Sequence, residues 1–315
     1  IVFWNDGAER ITGYTTEEMV GTSCQKGLLD LKNEDGETVH QKFRQLMEVI
    51  RKGRHTKFRL YLQHKQGHRI PISTHITPLK DRKGNNVGAI EVFRDISAEE
   101  KIHQIEEKFK RVIRQYVSET TYKEVLRAVN HEDYRIKAYN QNLTIMFMDI
   151  VNFTGLSEKQ KPEQVVEMLN AYFTHTSRII HNHKGDIDKF LGDGVMALFK
   201  NPQHAVDASL GMMQKGLGKL NEELRSSGLP EIDLRIGINT GNLIQGNIGS
   251  EDRKDWPVVG DVVNTAYRIE ESADPGRILI SENTIHQLKK PEDYRYVKKM
   301  SLRGKTNPIK VYSPD

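Results

Sequence analysis

The chain has 315 residues, of which 37% are hydrophobic and 29% are charged, and its formal net charge is +4. This length fits two ordinary domains, and the charge is spread along the chain, which argues against a nucleic-acid-binding protein and suits a small anionic substrate. No apolar stretch is long enough to cross a bilayer, and no signal-peptide pattern is found. The single cysteine, Cys24, excludes an internal disulfide and favours a reducing, cytoplasmic location.

The first segment, residues 1–97, carries short strands separated by polar stretches. Strands are predicted over Ile1–Trp4, Thr56–His64, Arg69–Pro78 and Val87–Arg94, with short helices between the first two. Because Ile1 already lies within a predicted strand, we expect the sequence to continue upstream. A membrane anchor or a further sensor in that upstream region is left open.

Both ends of this segment resemble a PAS sensor domain. The opening runs through Phe3-Trp4-Asn5, Ala8 to Tyr14 and Glu17 to Gly21, and the exit runs from Gly88 to Ser97. The resemblance implies an antiparallel sheet domain over residues 1–97, whose ligand is unknown. Cys24 is not followed by the sequence typical of flavin-reactive cysteines in photosensory PAS domains, so we predict a packed free cysteine there.

Residues 98–116 are predicted to form a helix that links the sensor to a second domain. Its apolar residues are spaced three and four apart, as at the a and d positions of a heptad: Ile102, Ile105, Phe109, Val112 and Tyr116. A helix lying on one domain would have the same pattern. We favour a parallel coiled coil, because neither flanking domain easily buries the stripe alone.

The second domain, residues 117–315, alternates predicted strands and helices. An apolar run over Leu143–Met148 predicts a buried strand, and a proline-initiated helix follows over Pro162–His183. Gly192-Asp193-Gly194 separates two strands and predicts a hairpin. The remaining predicted elements are helices over Ala205–Leu224 and Val262–Glu271 and strands over Leu234–Ile238, Leu243–Ile248 and Ile278–Ile280. This order predicts an α+β sandwich of ferredoxin type, βαββαβ.

Two aspartates fall near one edge of this predicted sheet. Asp149 ends the buried strand, and Asp193 lies at the tip of the hairpin. Either aspartate alone would usually serve only to stabilise its own turn. A hairpin paired beside the first strand, however, would bring the two carboxylates together. Hard oxygen ligands suit Mg²⁺ or Mn²⁺ bridging a triphosphate. The turn from Ile150 to Thr154 would offer backbone N–H groups to phosphate oxygens.

Four sequence blocks, in the family's order, resemble the class III adenylyl and guanylyl cyclases. The blocks run from Phe147 to Gly155, Lys189 to Asp193, Arg235 to Gly249 and Val259 to Glu270. The resemblance implies a PAS-regulated adenylyl cyclase that converts ATP into cyclic AMP and diphosphate. It also implies two Mg²⁺ or Mn²⁺ ions per site, and a homodimer whose active sites are shared between subunits.

The resemblance carries roles onto matching positions. It implies metal binding by Asp149, Ile150 and Asp193, substrate binding by Phe153, Thr154, Lys189, Pro257 and Arg303, and catalysis by Asn264 and Arg268. Lys189 matches the purine contact, Asn264 the ribose contact, and Arg268 the residue that stabilises the transition state. Asn264 and Arg268 are four residues apart, so they share one helix face. The alternative without a catalytic role is a solvent-exposed helix face on which Arg268 forms an ion pair with Glu271.

One position departs from the family pattern. Adenylyl cyclases usually have Asp or Thr as the second purine contact, whereas this chain has Pro257, which has no side-chain hydrogen-bonding group. A guanylyl cyclase is therefore the first alternative. A nucleotide-binding module without catalysis is the second, and the complete set of metal and transition-state positions argues against it. The Gly-Gly-Asp/Glu-Glu-Phe turn of diguanylate cyclases is missing.

Overall fold

A computed structural model describes residues 1–23, 29–33, 36, 56–130, 138–250, 254–301 and 308–314. The chain divides into two units, Ile1–Arg111 and Val112–Asp315. Cys24 and Arg303 lie outside the described residues, so the predictions for them stay predictions. Within the described ranges we find no helix that combines the length and apolar character of a membrane span.

The first unit contains two short helices and a three-stranded antiparallel sheet. The elements are α1 (Asp6–Thr12), α2 (Thr16–Met19), β1 (Thr56–Gln63), β2 (Arg69–Lys80) and β3 (Asn86–Asp95), with strand order β1-β2-β3. Alternate residues of β2, namely Ile70, Ile72, Thr74 and Ile76, are buried, as the period of two in a strand requires. Ile70 and Ile72 pack with Leu60 and Leu62 into a small core.

The predicted strand over Ile1–Trp4 is wrong. Ile1 forms two hydrogen bonds, donating to the Thr22 carbonyl and accepting from the Gly21 N–H, but residues 1–4 form no ladder. The chain turns into α1 immediately afterwards, because the Asn5 side chain accepts a hydrogen bond from the Ala8 N–H and caps the helix. Gly13, with φ of 76°, ends α1 in the left-handed region that favours glycine.

A single helix, α3 (Ser97–Tyr116), follows the first sheet. Its N-terminus is fixed by the Asp95 side chain, which accepts a hydrogen bond from the Ser97 N–H. All five residues of the apolar stripe are exposed, from 42% for Val112 to 82% for Tyr116. The predicted helix therefore forms, and its apolar stripe has no cover within the described chain.

The second unit is built on one large sheet. Its strands are β4 (Tyr139–Ile150), β5 (Asp186–Leu191), β6 (Gly194–Phe199), β7 (Leu234–Gln245), β8 (Ile248–Gly249), β9 (Lys254–Asp255), β10 (Val258–Val259), β11 (Ile278–Ser281), β12 (Tyr294–Met300) and β13 (Ile309–Pro314). The large sheet has the order β12-β13-β11-β7-β4-β6-β5, with β10 paired to β7, whereas β8 and β9 form a separate two-stranded sheet. The antiparallel run β7-β4-β6-β5 is the predicted ferredoxin-type arrangement, which is confirmed.

Helices cover both faces of this sheet. They are α4 (Glu119–Asn130), α5 (Phe153–Ser157), α6 (Pro162–Asn182), α7 (Pro202–Gly211), α8 (Leu217–Ser226), α9 (Asp261–Glu271) and α10 (Glu282–Ile285), together with a π-helical segment over Met212–Gly216 and a 3₁₀ turn over Pro291–Asp293. Met146, Met148 and Ile150 of β4 pack with α6, α7 and α8, whereas Ile145 and Phe147 pack with α9. Burial on both faces explains why β4 is a nearly continuous apolar run.

Two predicted boundaries within this unit are wrong. The separate strands predicted over Leu234–Ile238 and Leu243–Ile248 are mostly one strand, β7, which continues through Asn239 and Thr240. Both side chains are buried and bound within this unit, since Asn239 Nδ2 donates to the Val262 carbonyl and the Thr240 hydroxyl contacts that of Thr144. The helix predicted over Ala205–Leu224 is interrupted by the π-helical segment.

Gly237 determines how closely α9 approaches the sheet. A Cβ atom at this position would lie 2.3 Å from the Glu270 backbone nitrogen and 2.7 Å from the Ala266 carbonyl oxygen. No other residue type fits without moving the helix, because both neighbours are backbone atoms. Helix α9 therefore packs directly on the backbone of β7.

Candidate active site

The end of β4 and the β5–β6 hairpin bring Asp149 and Asp193 together. Pairing between β4 and β6 ends at Met148 and Val195, so the next residue of β4, Asp149, lies beside the hairpin turn. Gly192, with φ of 66°, allows that turn. The two carboxyl groups are within hydrogen-bonding reach, and burial together with the Asp149 charge raises the pKa of Asp193 to about 6.

Arg235 was missed as a site residue by the sequence analysis, which noted it only as the start of a family block. It lies directly opposite Asp149 on β7, and its Nη2 is 3.0 Å from Asp149 Oδ2. Its Nε is 2.5 Å from Oε1 of Glu270, whose side chain is 2% exposed. Burial raises the pKa of Glu270 to about 7 even though Arg235 opposes that shift. A charged residue at the start of a strand that is otherwise buried was the available sequence clue.

The oxygen ligands at this edge of the sheet suit a divalent cation whose remaining ligands come from a phosphate substrate. Nowhere in the described ranges do three or more His, Cys, Asp or Glu side chains gather as a metal-binding group. Mg²⁺ is commonly held by one or two carboxylates together with substrate phosphates and water. Asp149 and Asp193 supply two such carboxylates, and a cation between them would relieve the repulsion that raises the pKa of Asp193.

The turn after β4 leaves three backbone donors available. The Val151 N–H already donates to the Asp233 carbonyl, so the predicted phosphate-binding turn has one donor fewer than expected. Asn152 has φ of 55°, and Phe153 and Thr154 begin the short helix α5. We find no hydrogen-bond acceptor for the N–H groups of these three residues in the described chain. Ile150 is buried at the end of β4.

Asn264 and Arg268 project from the exposed face of α9. Both are exposed, whereas Thr265, Ala266 and Ile269 between and beside them are buried. The ion pair between Arg268 and Glu271, considered as the structural alternative, is not found in the described residues. Neither Asn264 nor Arg268 forms a hydrogen bond or ion pair with Asp149 or Asp193 within this chain's described part.

The two predicted purine contacts lie on different elements. Lys189 is on β5, is 37% exposed, and has its Nζ 3.3 Å from Asp188 Oδ2. Pro257 is half-buried between β9 and β10, and its carbonyl accepts a long hydrogen bond of 3.4 Å from the Gly246 N–H. That carbonyl is therefore partly engaged in the backbone pairing of its own loop.

Both parts of the chain match known protein families. Residues 136–313 match the model described as the adenylate and guanylate cyclase catalytic domain, and residues 1–98 match a PAS domain. Adenylate cyclase 1 of Rhizobium meliloti is 35% identical over 184 residues, which cover 56% of this chain and 28% of that protein. The chain therefore spans less than a third of that relative's length.

Two solved structures resemble the second unit. The guanylyl cyclase Cya2 is 33% identical, with a TM-score of 0.53, and the match covers 56% of this chain and 93% of that one. The adenylyl cyclase CyaB from P. aeruginosa is 32% identical, also with a TM-score of 0.53, and covers 57% and 96%. The TM-scores to a guanylyl cyclase and to an adenylyl cyclase are thus the same.

Proposed function

Since this chain belongs to the adenylate and guanylate cyclase catalytic family and carries a PAS domain ahead of the catalytic domain, we propose that it is a PAS-regulated adenylyl cyclase. It converts ATP into 3′,5′-cyclic AMP and diphosphate. The observation that carries this proposal is the contact between the Asp149 and Asp193 carboxyl groups at the end of β4, beside the Arg235 guanidinium.

The carboxylate pair gives the site its affinity for metal. Cyclases of this family depend on Mg²⁺ or Mn²⁺, and Asp149 and Asp193, with the Ile150 carbonyl, would hold two ions against the triphosphate. When bound, these ions supply positive charge to the phosphate oxygens. The N–H groups of Asn152, Phe153 and Thr154, which have no acceptor in the described part of the chain, lie at the same strand end and would bind phosphate oxygens.

The reaction is an intramolecular displacement. The ribose 3′-oxygen attacks the α-phosphorus, the new O–P bond forms, the bond to the bridging oxygen breaks, diphosphate leaves, and the 3′-hydroxyl proton is released. Holding the ribose for in-line attack removes much of the entropic barrier, and we assign that role to Asn264. Arg268 neutralises charge that develops on the phosphate oxygens.

The proposed enzyme works as a homodimer with composite sites. Asn264 and Arg268 are exposed and make no polar contact with Asp149 or Asp193 in the described part of one chain. A two-fold interface uses the same surface twice, so one chain that carries both sets of residues would form two sites across the interface. The exposed side chains of Asn264 and Arg268, which have no polar side-chain partner among the described residues, support this arrangement.

The base preference is the finer part of the proposal. Lys189 has only hydrogen-bond donors, which matches the acceptor at adenine N1 and opposes the donor at guanine N1. Pro257 has no side-chain acceptor for the adenine amino group, and its carbonyl is already bound to Gly246. That observation favours a guanylyl cyclase as the second candidate.

A turnover assay of the whole chain separates the candidates. Cyclic product is measured with ATP and with GTP, each with Mg²⁺ and with Mn²⁺. We expect cyclic AMP to dominate, with slower formation of cyclic GMP. Turnover of GTP at or above the rate with ATP would replace the proposal with the guanylyl alternative, and no cyclic product from either nucleotide would leave a binding module.

A further inference from the structure

Two neighbouring residues of β5 carry opposite charges on side chains that meet. Successive side chains of a regular strand point to opposite faces, so residues i and i+1 do not normally touch. In β5, however, Oδ2 of Asp188 lies 3.3 Å from Nζ of Lys189. This contact therefore requires a local departure from regular strand geometry.

A β-bulge supplies that departure. Along the β5–β6 pair, Ile187 is opposite Ala197 and Lys189 is opposite Met196, so the register shifts and Asp188 is the extra residue. A bulge sets two residues against one and redirects their side chains, and bulges are common next to active sites. Here the bulge lies just before the hairpin that carries Asp193.

The two members of the pair are buried to very different extents. The Asp188 side chain is 3% exposed and the Lys189 side chain is 37% exposed. Burial raises the pKa of the Asp188 carboxyl group, and the adjacent Lys189 ammonium opposes that shift. The other charged groups that act on it, Asp186 and Asp255, are both acidic. The Lys189 ammonium is thus its source of compensating charge.

Asp186, two residues earlier on the same strand, has a different task. Its carboxylate accepts hydrogen bonds from the N–H groups of Glu119 and Thr120 and from the Thr120 hydroxyl, and so caps helix α4. Asp188 takes part in no such cap. The strand therefore contains one acidic residue that fixes the fold and another that contacts a predicted purine-binding lysine.

We propose that Asp188 is a positioning residue that holds the Lys189 ammonium at the purine edge and so sets the preference for adenine over guanine. This inference rests on the proposed adenylyl cyclase function. A lysine side chain with four rotatable bonds can reach either adenine N1 or guanine O6, so a free ammonium discriminates poorly. A buried carboxylate beneath it limits that reach, which matters more here because Pro257 offers no side-chain acceptor.

The test is a double-mutant cycle in the intact chain. The variants are Asp188→Asn, Lys189→Met and the double variant, and kcat and KM are measured with ATP and with GTP. We expect Asp188→Asn to raise KM for ATP about twofold to tenfold with little change in kcat, and to reduce the ratio of kcat/KM for ATP over GTP by a similar factor. In the Lys189→Met background, Asp188→Asn should have no further effect on KM.

Asp186→Asn is the matched control, because it removes the same charge from the same strand. It should lower the thermal unfolding midpoint while leaving the ATP-to-GTP ratio unchanged. If Asp188→Asn does not fold, Asp188→Thr, which retains strand propensity, takes its place with the same expected loss of preference. Failure of both to fold beside a folded Lys189→Met protein would assign Asp188 a purely structural role and overturn the inference.

The two proposals fail in different ways. If the unmodified protein makes no cyclic AMP, the proposed function is wrong. If it makes cyclic AMP, and folded Asp188→Asn keeps its KM for ATP and its base preference, the function stands and the positioning role is wrong. Additive effects of Asp188→Asn and Lys189→Met on KM would also overturn the positioning role, since the two residues would then act independently.

Discussion

Arg235 lies directly across the sheet from Asp149 and binds its carboxylate, while the same guanidinium binds Glu270 on α9. One side chain thus ties the candidate metal-binding strand end to the helix that carries Asn264 and Arg268. Arg235 offsets only part of the negative charge, because Asp193 still has a pKa raised to about 6 by burial and by Asp149. The remaining charge is what a divalent cation would neutralise.

Removing either carboxylate should abolish cyclisation. We expect Asp149→Ala and Asp193→Ala to lose at least about a hundredfold in kcat, because a lost metal ligand removes charge stabilisation from the transition state. Circular dichroism and thermal unfolding should show a folded protein in both cases. Asp293→Ala, on the exposed turn before β12, is the control and should keep full activity. Near wild-type turnover by folded Asp193→Ala would contradict the two-metal assignment.

Inactive variants should complement each other if the sites are shared. Asp149→Ala and Arg268→Ala damage different halves of the proposed composite site, so a heterodimer retains one intact site. We expect the mixture to recover up to about a quarter of wild-type activity after random exchange of subunits. Exchange is followed by differently tagged chains. A mixture that stays inactive despite demonstrated exchange would contradict the shared-site proposal.

The exposed stripe of α3 should act through its heptad phase. If two copies pair along Ile102, Ile105, Phe109, Val112 and Tyr116, inserting one residue after Glu107 rotates everything beyond it out of phase. We expect basal cyclase activity to change severalfold with one inserted residue and to change little with seven. Activity and oligomeric state are measured together. Equal effects of both insertions would make the helix a simple tether.

The base preference should sharpen when an acceptor is restored. Pro257→Asp places a carboxylate where the adenine amino group would donate, and one well-formed hydrogen bond is worth about 0.5–1.5 kcal/mol, or roughly twofold to tenfold in preference. We therefore expect the ATP-to-GTP ratio of kcat/KM to rise by that factor. Pro257→Ala, which adds no side-chain acceptor, is the control. An unchanged ratio in a folded Pro257→Asp protein would separate this position from base recognition.

Glu270 should make stability depend on pH. Burial raises its pKa from 4.5 to about 7, so the folded chain binds this proton more tightly than the unfolded chain does. Its contribution to the free energy of unfolding is then full below about pH 4.5 and is lost as the pH rises through about 7. Glu270→Gln should remove this pH-dependent loss. The urea unfolding midpoint of the variant, relative to that of wild type, should therefore rise between pH 5 and pH 8.

The exposed neighbour Glu271→Gln is the control for this measurement. Its urea midpoint should follow wild type across the same range. If the difference between Glu270→Gln and wild type were the same at pH 5 and at pH 8, the buried carboxyl group would not be the source of the pH dependence.

Much of this fold can be predicted from local sequence, because a buried strand shows directly as a run of apolar residues. The apolar run before Asp149 predicts β4, and that strand is covered on both faces by different helices. Gly192-Asp193-Gly194 predicts the hairpin, since glycine permits the positive φ that its turn needs. From these features alone, the sequence predicts the two aspartates at one edge of the sheet.

Other features depend on partners that are distant in sequence. Strand β7 continues through Asn239, a residue type common in turns, because its side-chain Nδ2 donates to the Val262 carbonyl. The next residue, Thr240, contacts the Thr144 hydroxyl on β4. Strand β12 is exposed at the edge of the sheet and is rich in lysine and arginine, so no apolar alternation marks it. The bulge that joins Asp188 to Lys189 is a property of the β5–β6 register, which a single strand's sequence does not reveal.

The absence of a side chain at Gly237 has a consequence for regulation. With α9 seated on the β7 backbone and tied to it through Glu270 and Arg235, we expect the proposed metal-binding and transition-state residues of one chain to move as a single block. In the proposed homodimer, each block contributes one half to both sites. A rotation of one subunit against the other that preserves the two-fold axis then opens or closes the two sites in concert, so a sensor that drives such a rotation would switch turnover at both sites together.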